Sequence, residues 1–433
     1  MEGNILQKIK KHGITGSMKV VKLHVATAIN NKWFYYYKKH KQMDEHLIVM
    51  ESEGDLSDNA FALYDYMRHN DYLKKYHVVW LVDHVDEARE LQRKKPEDFP
   101  NTEFIQKVPQ QIDKRWAEVL ATSKWYIYDH CNLMAPLEKR KEQKVIYLSH
   151  GWGYKAAKGG FTTNDLTHYD MITVTGPIPA KGMSEYWQEP EEKAVITGYP
   201  RLDYFFHPDT SVLDKINKKW HFDQYHKVIF WMPTFRQSNN ESLSEDYIKN
   251  QTGLPIFETR DSLLEFSDFL KEKNLILVFK LHHLQADLPV FQSHFDNILL
   301  VRDEELHDMG IQLYQFISMA DVMISDYSSI SIDFLLKDKP IVFTLDDYKE
   351  YDKSRGLFPK NAIDYMKGYH VYNQKELEES ISEIAEGVDT YKDDRDAIMK
   401  DYHTYTDGNS SKRILDTINI KLERGGKQKS CNY

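Results

Sequence analysis

Cysteine is nearly missing from this chain: Cys131 and Cys431 are the only two among 433 residues. Standing 300 positions apart, they offer neither a disulfide framework nor the paired spacing of a zinc site, which favours a reducing compartment. Glycine (19) and proline (14) are too few for a collagen-like or low-complexity chain and no heptad persists, so disorder, collagen and coiled coil fail as whole-chain readings. Long apolar runs are lacking too. No window approaches the roughly 20 uninterrupted apolar residues of a bilayer-crossing helix, and the N-terminus has no signal-peptide apolar core. The expectation is a chain that neither spans a membrane nor is exported by that route. GxxxxGK[ST], strict GxGxxG, HExxH and the EF-hand loop are all absent, which removes the usual signals of a P-loop NTPase, a dinucleotide oxidoreductase and a zincin. The looser G-x-G-x-x-A at Gly151, Gly153 and Ala156 is a weak match by itself.

What is present is apolar enough for a large core: 41% hydrophobic and 13% aromatic. At roughly 150 residues per domain, the length suggests two or three domains. A net charge of −10 argues against a nucleic-acid binder, but the charge is unevenly spread. Residues 1–43 hold nine lysines, no arginine and only Glu2 in opposition, a charge of +8 that leaves −18 on the other 390 residues. These lysines sit beside Ile5, Leu6, Ile9, Val20, Val21, Leu23, Val25 and the run Trp33-Phe34-Tyr35-Tyr36-Tyr37. Such a mixture suits a helix lying in an anionic lipid interface, and equally a helix packing its apolar side on the protein body.

From Asp44 onward short apolar runs alternate with helical patterns. His46–Met50, Val78–Val82, Trp125–Tyr128, Val145–Leu148 and Met171–Val174 read as strands buried on both faces, because they are continuous and β-branched or aromatic. A second series follows at Val228–Met232, Leu275–Phe279, Ile298–Val301, Val322–Ile324 and Pro340–Phe343, with helical stretches such as Asn59–Arg68 and Ser262–Lys271 between strands. This alternation predicts α/β architecture with doubly wound sheets. The series break near Asp209–Tyr225, which predicts an N-terminal extension at 1–43, domains at 44–222 and 223–420 facing a cleft, and a basic tail at 421–433. The polar segment Gln237–Gly253 reads as a lid or a surface insertion.

Five segments carry residues suited to chemistry, each at a strand's carboxyl end. In Tyr147-Leu148-Ser149-His150-Gly151-Trp152-Gly153-Tyr154-Lys155, His150 meets glycines that let a substrate approach, as a general base requires. In Gly198-Tyr199-Pro200-Arg201-Leu202-Asp203, Arg201 is available for a phosphate or for an ion pair with Asp203. Pro233-Thr234-Phe235-Arg236 offers a planar fork at Arg236, and Lys280-Leu281-His282-His283 a cation with two imidazoles. Ser325-Asp326-Tyr327-Ser328-Ser329 ends a strand and opens a helix, where free amides suit an anion and the serines equally suit capping. Together these suit a diphosphate.

In number and order these segments resemble the CDP-glycerol glycerophosphotransferase family, which primes or polymerises teichoic acids and related poly(alditol phosphate) chains. The resemblance runs from about Leu47 to Arg413 and includes Ile48-Val49-Met50-Glu51-Ser52, Ser57-Asp58-Asn59, His150-Gly151, Gly198 through Asp203, Pro233 through Arg236, Lys280-Leu281-His282, Ser325 through Pro340, Arg355-Gly356 and Asp407-Gly408. It implies a GT-B-like fold, two Rossmann-type domains about a central cleft. It also implies transfer of glycerol phosphate or ribitol phosphate from a CDP-alditol to a hydroxyl of a lipid-linked acceptor, with release of CMP.

By the same resemblance the acceptor is an undecaprenyl-diphosphate-linked saccharide or a growing poly(alditol phosphate), met at the cytoplasmic face of an anionic membrane by a peripheral enzyme. No cofactor, metal or nucleic acid is implied. His150 and His282 take catalytic roles, with His150 as base. Arg236, Lys280, Asp326, Ser328, Ser329 and Arg201 fall on the donor-phosphate side, and Gly151, Lys155 and Glu51 on the acceptor side. The chain departs from the family's pattern at Trp152-Gly153-Tyr154 and at Leu281, where prolines are usual, so the identity of the substrates is less secure than the reaction class. The alternative is a GT-B glycosyltransferase using a nucleotide-sugar donor.

Overall fold

Both series of apolar runs form strands, and each series builds its own sheet. In the computed structural model, which describes residues 5–107, 111–130, 138–156, 169–234, 250–281 and 283–422, side chains are placed from residue 21 onward except at 283 and 284. The first sheet contains β1 (Asp44–Glu51), β2 (His77–Val82), β3 (Thr102–Gln106), β4 (Ser123–Tyr128), β5 (Lys144–Tyr147), β6 (Met171–Val174) and β7 (Ala194–Ile196), in the order β3-β2-β1-β4-β5-β6-β7. The second contains β8 (Lys227–Trp231), β9 (Leu275–Phe279), β10 (Ile298–Leu300), β11 (Val322–Ser325), β12 (Ile341–Thr344) and β13 (Tyr369–Val371), in the order β10-β9-β8-β11-β12-β13. β1 pairs in parallel with β2 and β4, and β8 with β9 and β11. In each sheet the strand order reverses at that first strand. Ligands of open α/β sheets bind outside the carboxyl ends of the strands at such a reversal.

Sequence reading did not single out β3, β7 and β13. These strands have five, three and three residues and lie at sheet edges, where half-exposed positions break the apolar run that marks a central strand. The central strands are apolar throughout because both faces are covered. In the second sheet Val228, Phe230, Ile276 and Val278 enter one core, and Ile229, Trp231, Leu275, Leu277 and Phe279 the other, the alternation a pleated strand imposes.

By packing, the described residues divide into two compact units: 5–150, 169–173 and 415–422 belong to the first, and 151–156 and 174–414 to the second. This division differs from boundaries drawn at 222 and 420. Within the first unit, the indole Nε1 of Trp125 donates to the Ile418 carbonyl at 3.1 Å and the Tyr76 hydroxyl accepts from the Lys421 amide at 3.0 Å, so the C-terminal return belongs to that unit.

The N-terminal extension is a helix, Ile5–His40. Ala26, Asn30 and Phe34, spaced by four, are buried. Asn30 donates to the Gln111 carbonyl at 2.7 Å and accepts the Asp113 amide at 3.0 Å, and the Lys114 ammonium lies 4.2 Å from the centre of the Trp33 ring. The opposite side is exposed and carries Val21, Val25, Tyr35 and Tyr36 among Lys22, Lys32 and Lys39. The described part of this helix is therefore apolar on two sides, not amphipathic in the simple sense. Among the described residues no helix is long and apolar enough to cross a membrane.

Candidate functional site

In the first unit, chemistry-bearing groups collect where β1, β4 and β5 end. His150 is exposed, two residues beyond Leu148, whose amide donates to the Tyr128 carbonyl at 2.7 Å. The residue between them, Ser149, holds φ at +61°, a left-handed conformation costly for a residue with a Cβ. Two buried side chains fix that turn. Asn59 donates to the Ser149 carbonyl at 2.7 Å, and the Thr173 hydroxyl donates to the Leu148 carbonyl at 2.6 Å. The Ser57-Asp58-Asn59 motif thus acts through backbone geometry, holding the histidine's platform.

The His150 ring is held by contacts of its own. Its Nδ1 lies 3.2 Å from the Tyr147 hydroxyl, and its ring meets that of His130 edge-on at 5.3 Å. Tyr147 is buried and stacks on Tyr128 at 4.7 Å with the ring planes 6° apart. His130 follows β4 as His150 follows β5, and its Nδ1 lies 3.5 Å from the Glu53 carboxylate. Asp129, fully buried, accepts the amides of Glu53 and Ala60 at 2.9 Å each. Burial, with Asp58 nearby, pushes its carboxyl well above the usual range despite those amides. Glu51 ends β1 and is also buried; loss of water pushes its pKa up to about 7, against the opposing pull of the Tyr126 hydroxyl and Lys107.

In the second unit, the turn after β11 and the start of helix Ser329–Phe334 form a frame of closed pairs. Asp326 accepts the Thr234 amide at 2.8 Å, the Thr234 hydroxyl at 2.6 Å and the Ser328 amide at 3.2 Å. Buried and so engaged, Asp326 ties the turn after β11 to Thr234, which follows β8. Arg201 pairs with Asp333 at 2.8 Å rather than with Asp203, and the Tyr314 hydroxyl donates to the same carboxylate. Asp203 instead accepts the amides of Ser410 and Ser411 at 2.8 Å each. Lys280, its side chain 7% exposed, faces Asp303 at 2.8 Å.

Gly151 and Lys155 are counted with this second unit. Gly151 has φ +104°, and a Cβ there would lie 2.7 Å from the Arg201 guanidinium and 3.2 Å from the Ser329 hydroxyl, so only glycine fits. A Cβ on Gly153 would lie 2.7 Å from the Tyr327 carbonyl and 2.9 Å from the Ser329 amide. Lys155 is exposed and bridges to Leu357. Ser328 precedes the helix without a side-chain cap bond, and the Ser331 hydroxyl donates to its carbonyl at 2.8 Å. Arg236 and His282 lie outside the described residues, as does most of the expected lid. Sequence reading missed His130, Glu53 and Asp129; the available signal was a second histidine directly after a predicted strand.

A model of the family described as CDP-Glycerol:Poly(glycerophosphate) glycerophosphotransferase matches residues 33–420. The chain is 24% identical over 309 residues to a teichoic acid ribitol-phosphate primase of Bacillus spizizenii, covering 66% of this chain and 72% of the relative. It is 23% identical over 407 residues to a teichoic acid glycerol-phosphate transferase of Staphylococcus aureus, covering 87% and 94%. Its fold is similar to that of a histidine-to-asparagine variant of the wall teichoic acid polymerase TagF soaked with CDPG, with a TM-score of 0.70 at 18% identity over 97% of this chain and 98% of that one. The expected GT-B-like architecture of two Rossmann-like sheets is therefore the one observed.

Proposed function

Since the chain belongs to the CDP-glycerol:poly(glycerophosphate) glycerophosphotransferase family, we propose that it moves glycerol phosphate or ribitol phosphate from a CDP-alditol to a hydroxyl of a lipid-linked acceptor. The acceptor oxygen attacks the phosphorus that bears the alditol, its proton passes to His150, and the bond to CMP breaks. The observation that carries this reading is the exposed His150 on a strained, doubly anchored turn at a strand's carboxyl end. A base must be reachable and rigidly aimed, and that turn supplies both conditions. On the second unit, Lys280, Ser328, Ser329 and the amides that open helix Ser329–Phe334 are the groups suited to the diphosphate, with Arg236 and His282 assigned there by resemblance alone. Arg201 and Asp326 support that turn from beneath.

The acceptor belongs to a membrane, and the exposed side of helix Ile5–His40 is the surface suited to meet it. Valines and tyrosines there stand among lysines, which suits an anionic headgroup layer. Nucleotide release tests the reaction. With a lipid-disaccharide acceptor, CDP-glycerol or CDP-ribitol should yield CMP, while UDP-sugars yield no UDP; UDP release without CMP would replace this reading with glycosyl transfer.

A further inference from the structure

We propose that Asp303 is a built-in counter-ion for Lys280, one that a phosphate group of the donor displaces on binding, so that it sets how tightly the donor is held. Lys280 follows β9 directly, and its amide donates to the carbonyl of Trp231, the last residue of β8, at 3.1 Å. That places it at the carboxyl end of the second sheet, beside the strand where the order reverses and where open α/β sheets take their ligands. Its side chain is buried, and a buried cation without an opposite charge is costly; the Asp303 carboxylate, 2.8 Å from the ammonium, supplies that charge.

The two partners are unequal. Asp303 is 75% exposed, so its carboxylate keeps most of its water in the pair and regains the rest on leaving. Other buried cations are closed differently: Arg201 meets the buried Asp333, and Arg395 the partly covered Asp389. Among the described ion pairs, Lys280 with Asp303 is the one that joins a buried cation to a carboxylate standing in water. The backbone that carries Asp303 is fixed, because the Arg302 amide donates to the Glu305 carboxylate at 3.1 Å and the Arg302 guanidinium pairs with Asp287 at 2.8 Å. Release then needs only a rotation of the Asp303 side chain, and it uncovers a compact point charge for a phosphate oxygen.

This role rests on the reading of Lys280 as a diphosphate-binding group, and the two can fail separately. Asp303→Asn keeps the shape of an exposed side chain and removes the competing charge. Calorimetric titration should show CDP-glycerol, and inorganic pyrophosphate as a probe without a nucleoside, binding about 3- to 10-fold more tightly than to the wild type. In a Lys280→Met background the same substitution should leave both affinities unchanged, because the group competed for is gone. Stability gives a second readout. Without ligand the Tm of Asp303→Asn should fall, since a buried ammonium has lost its counter-charge, and pyrophosphate should raise it by more than it raises the wild type. A variant that folds only with pyrophosphate present would support the role in the same way. Equal affinities in the wild type and Asp303→Asn, or the same gain with and without Lys280, would overturn the counter-ion role while leaving the donor reading intact. A wild-type chain that does not bind CDP-glycerol would instead remove the donor reading, and this role with it.

Discussion

The two polar clusters are built on opposite terms. At the end of β5 the proposed base, His150, is exposed and its turn is strained, while the groups that hold that turn and touch the ring are neutral amide, hydroxyl and ring groups. Around the turn after β11 the charged side chains are buried and already matched, Arg201 with Asp333 and Asp326 with the Thr234 and Ser328 amides. One cluster leaves its key side chain exposed; the other closes its charged side chains into pairs around the turn proposed for the diphosphate. Truncation should therefore separate turnover from stability in the first and couple them in the second.

The largest effect is predicted for His150→Ala: a fall in kcat of about 10²–10⁴-fold, as for a lost general base, with donor binding retained. Because the side chain is exposed, urea unfolding should move by no more than about 0.5 kcal/mol. Asp333→Ala should invert that pattern. It strands the Arg201 guanidinium in a buried site and removes the acceptor of the Tyr314 hydroxyl, which costs about 3–5 kcal/mol for a broken buried pair. Arg201→Met with Asp333→Leu should recover much of that loss, because no buried charge remains. If the single variant unfolds like the wild type, the second cluster is not the frame described.

Glu51 sharpens the comparison by pH. Its carboxyl rises from an ordinary 4.5 to about 7 on burial, so the folded chain keeps a proton that the unfolded chain gives up between those values. The sign is then fixed: stability due to this group is full below about pH 4.5 and falls as pH rises toward 7. Glu51→Gln removes the ionisation and should stabilise the chain by about 3 kcal/mol at pH 8 and by almost nothing at pH 4. Urea midpoints at the two pH values measure the difference, and an equal shift at both would contradict a buried, protonated carboxyl.

Much of this was legible in the chain because burial on both faces writes a strand as one apolar run, as in Leu275–Phe279, and because turn chemistry follows strand ends. Three of the four edge strands were not legible, since half-covered residues such as Thr102 and Glu103 carry no such run, whereas the apolar edge strand Ile298–Leu300 was. Site partners were legible where the sequence places them together, as with Tyr147 and His150. Pairs set by tertiary packing were not: Arg201 lies two residues from Asp203 yet binds Asp333, because Asp203 is engaged by the amides of Ser410 and Ser411. The unit division was equally hidden, since the return of residues 415–422 to the first unit depends on backbone contacts such as that of Ile418 with Trp125.

The smallest predicted effect concerns the N-terminal helix, whose two sides repeat the contrast between a held surface and a presented one. Deleting residues 1–43 would confound them, because Ala26, Asn30 and Phe34 pack on the first unit and their loss would destabilise it. Substitution on the exposed side separates the two contributions. Lys32→Gln with Lys39→Gln leaves the packed side untouched and should weaken binding to anionic vesicles by about 1 kcal/mol per lysine, roughly 30-fold for the pair at low salt. The wild type should approach the variant's affinity as salt shortens the screening length. Turnover on a soluble acceptor should stay at the wild-type level while turnover on lipid acceptor in vesicles falls. Cosedimentation that is equal for the two proteins at low salt would reject this side of the helix as the membrane contact, and a loss confined to anionic vesicles would identify headgroup charge as what it meets.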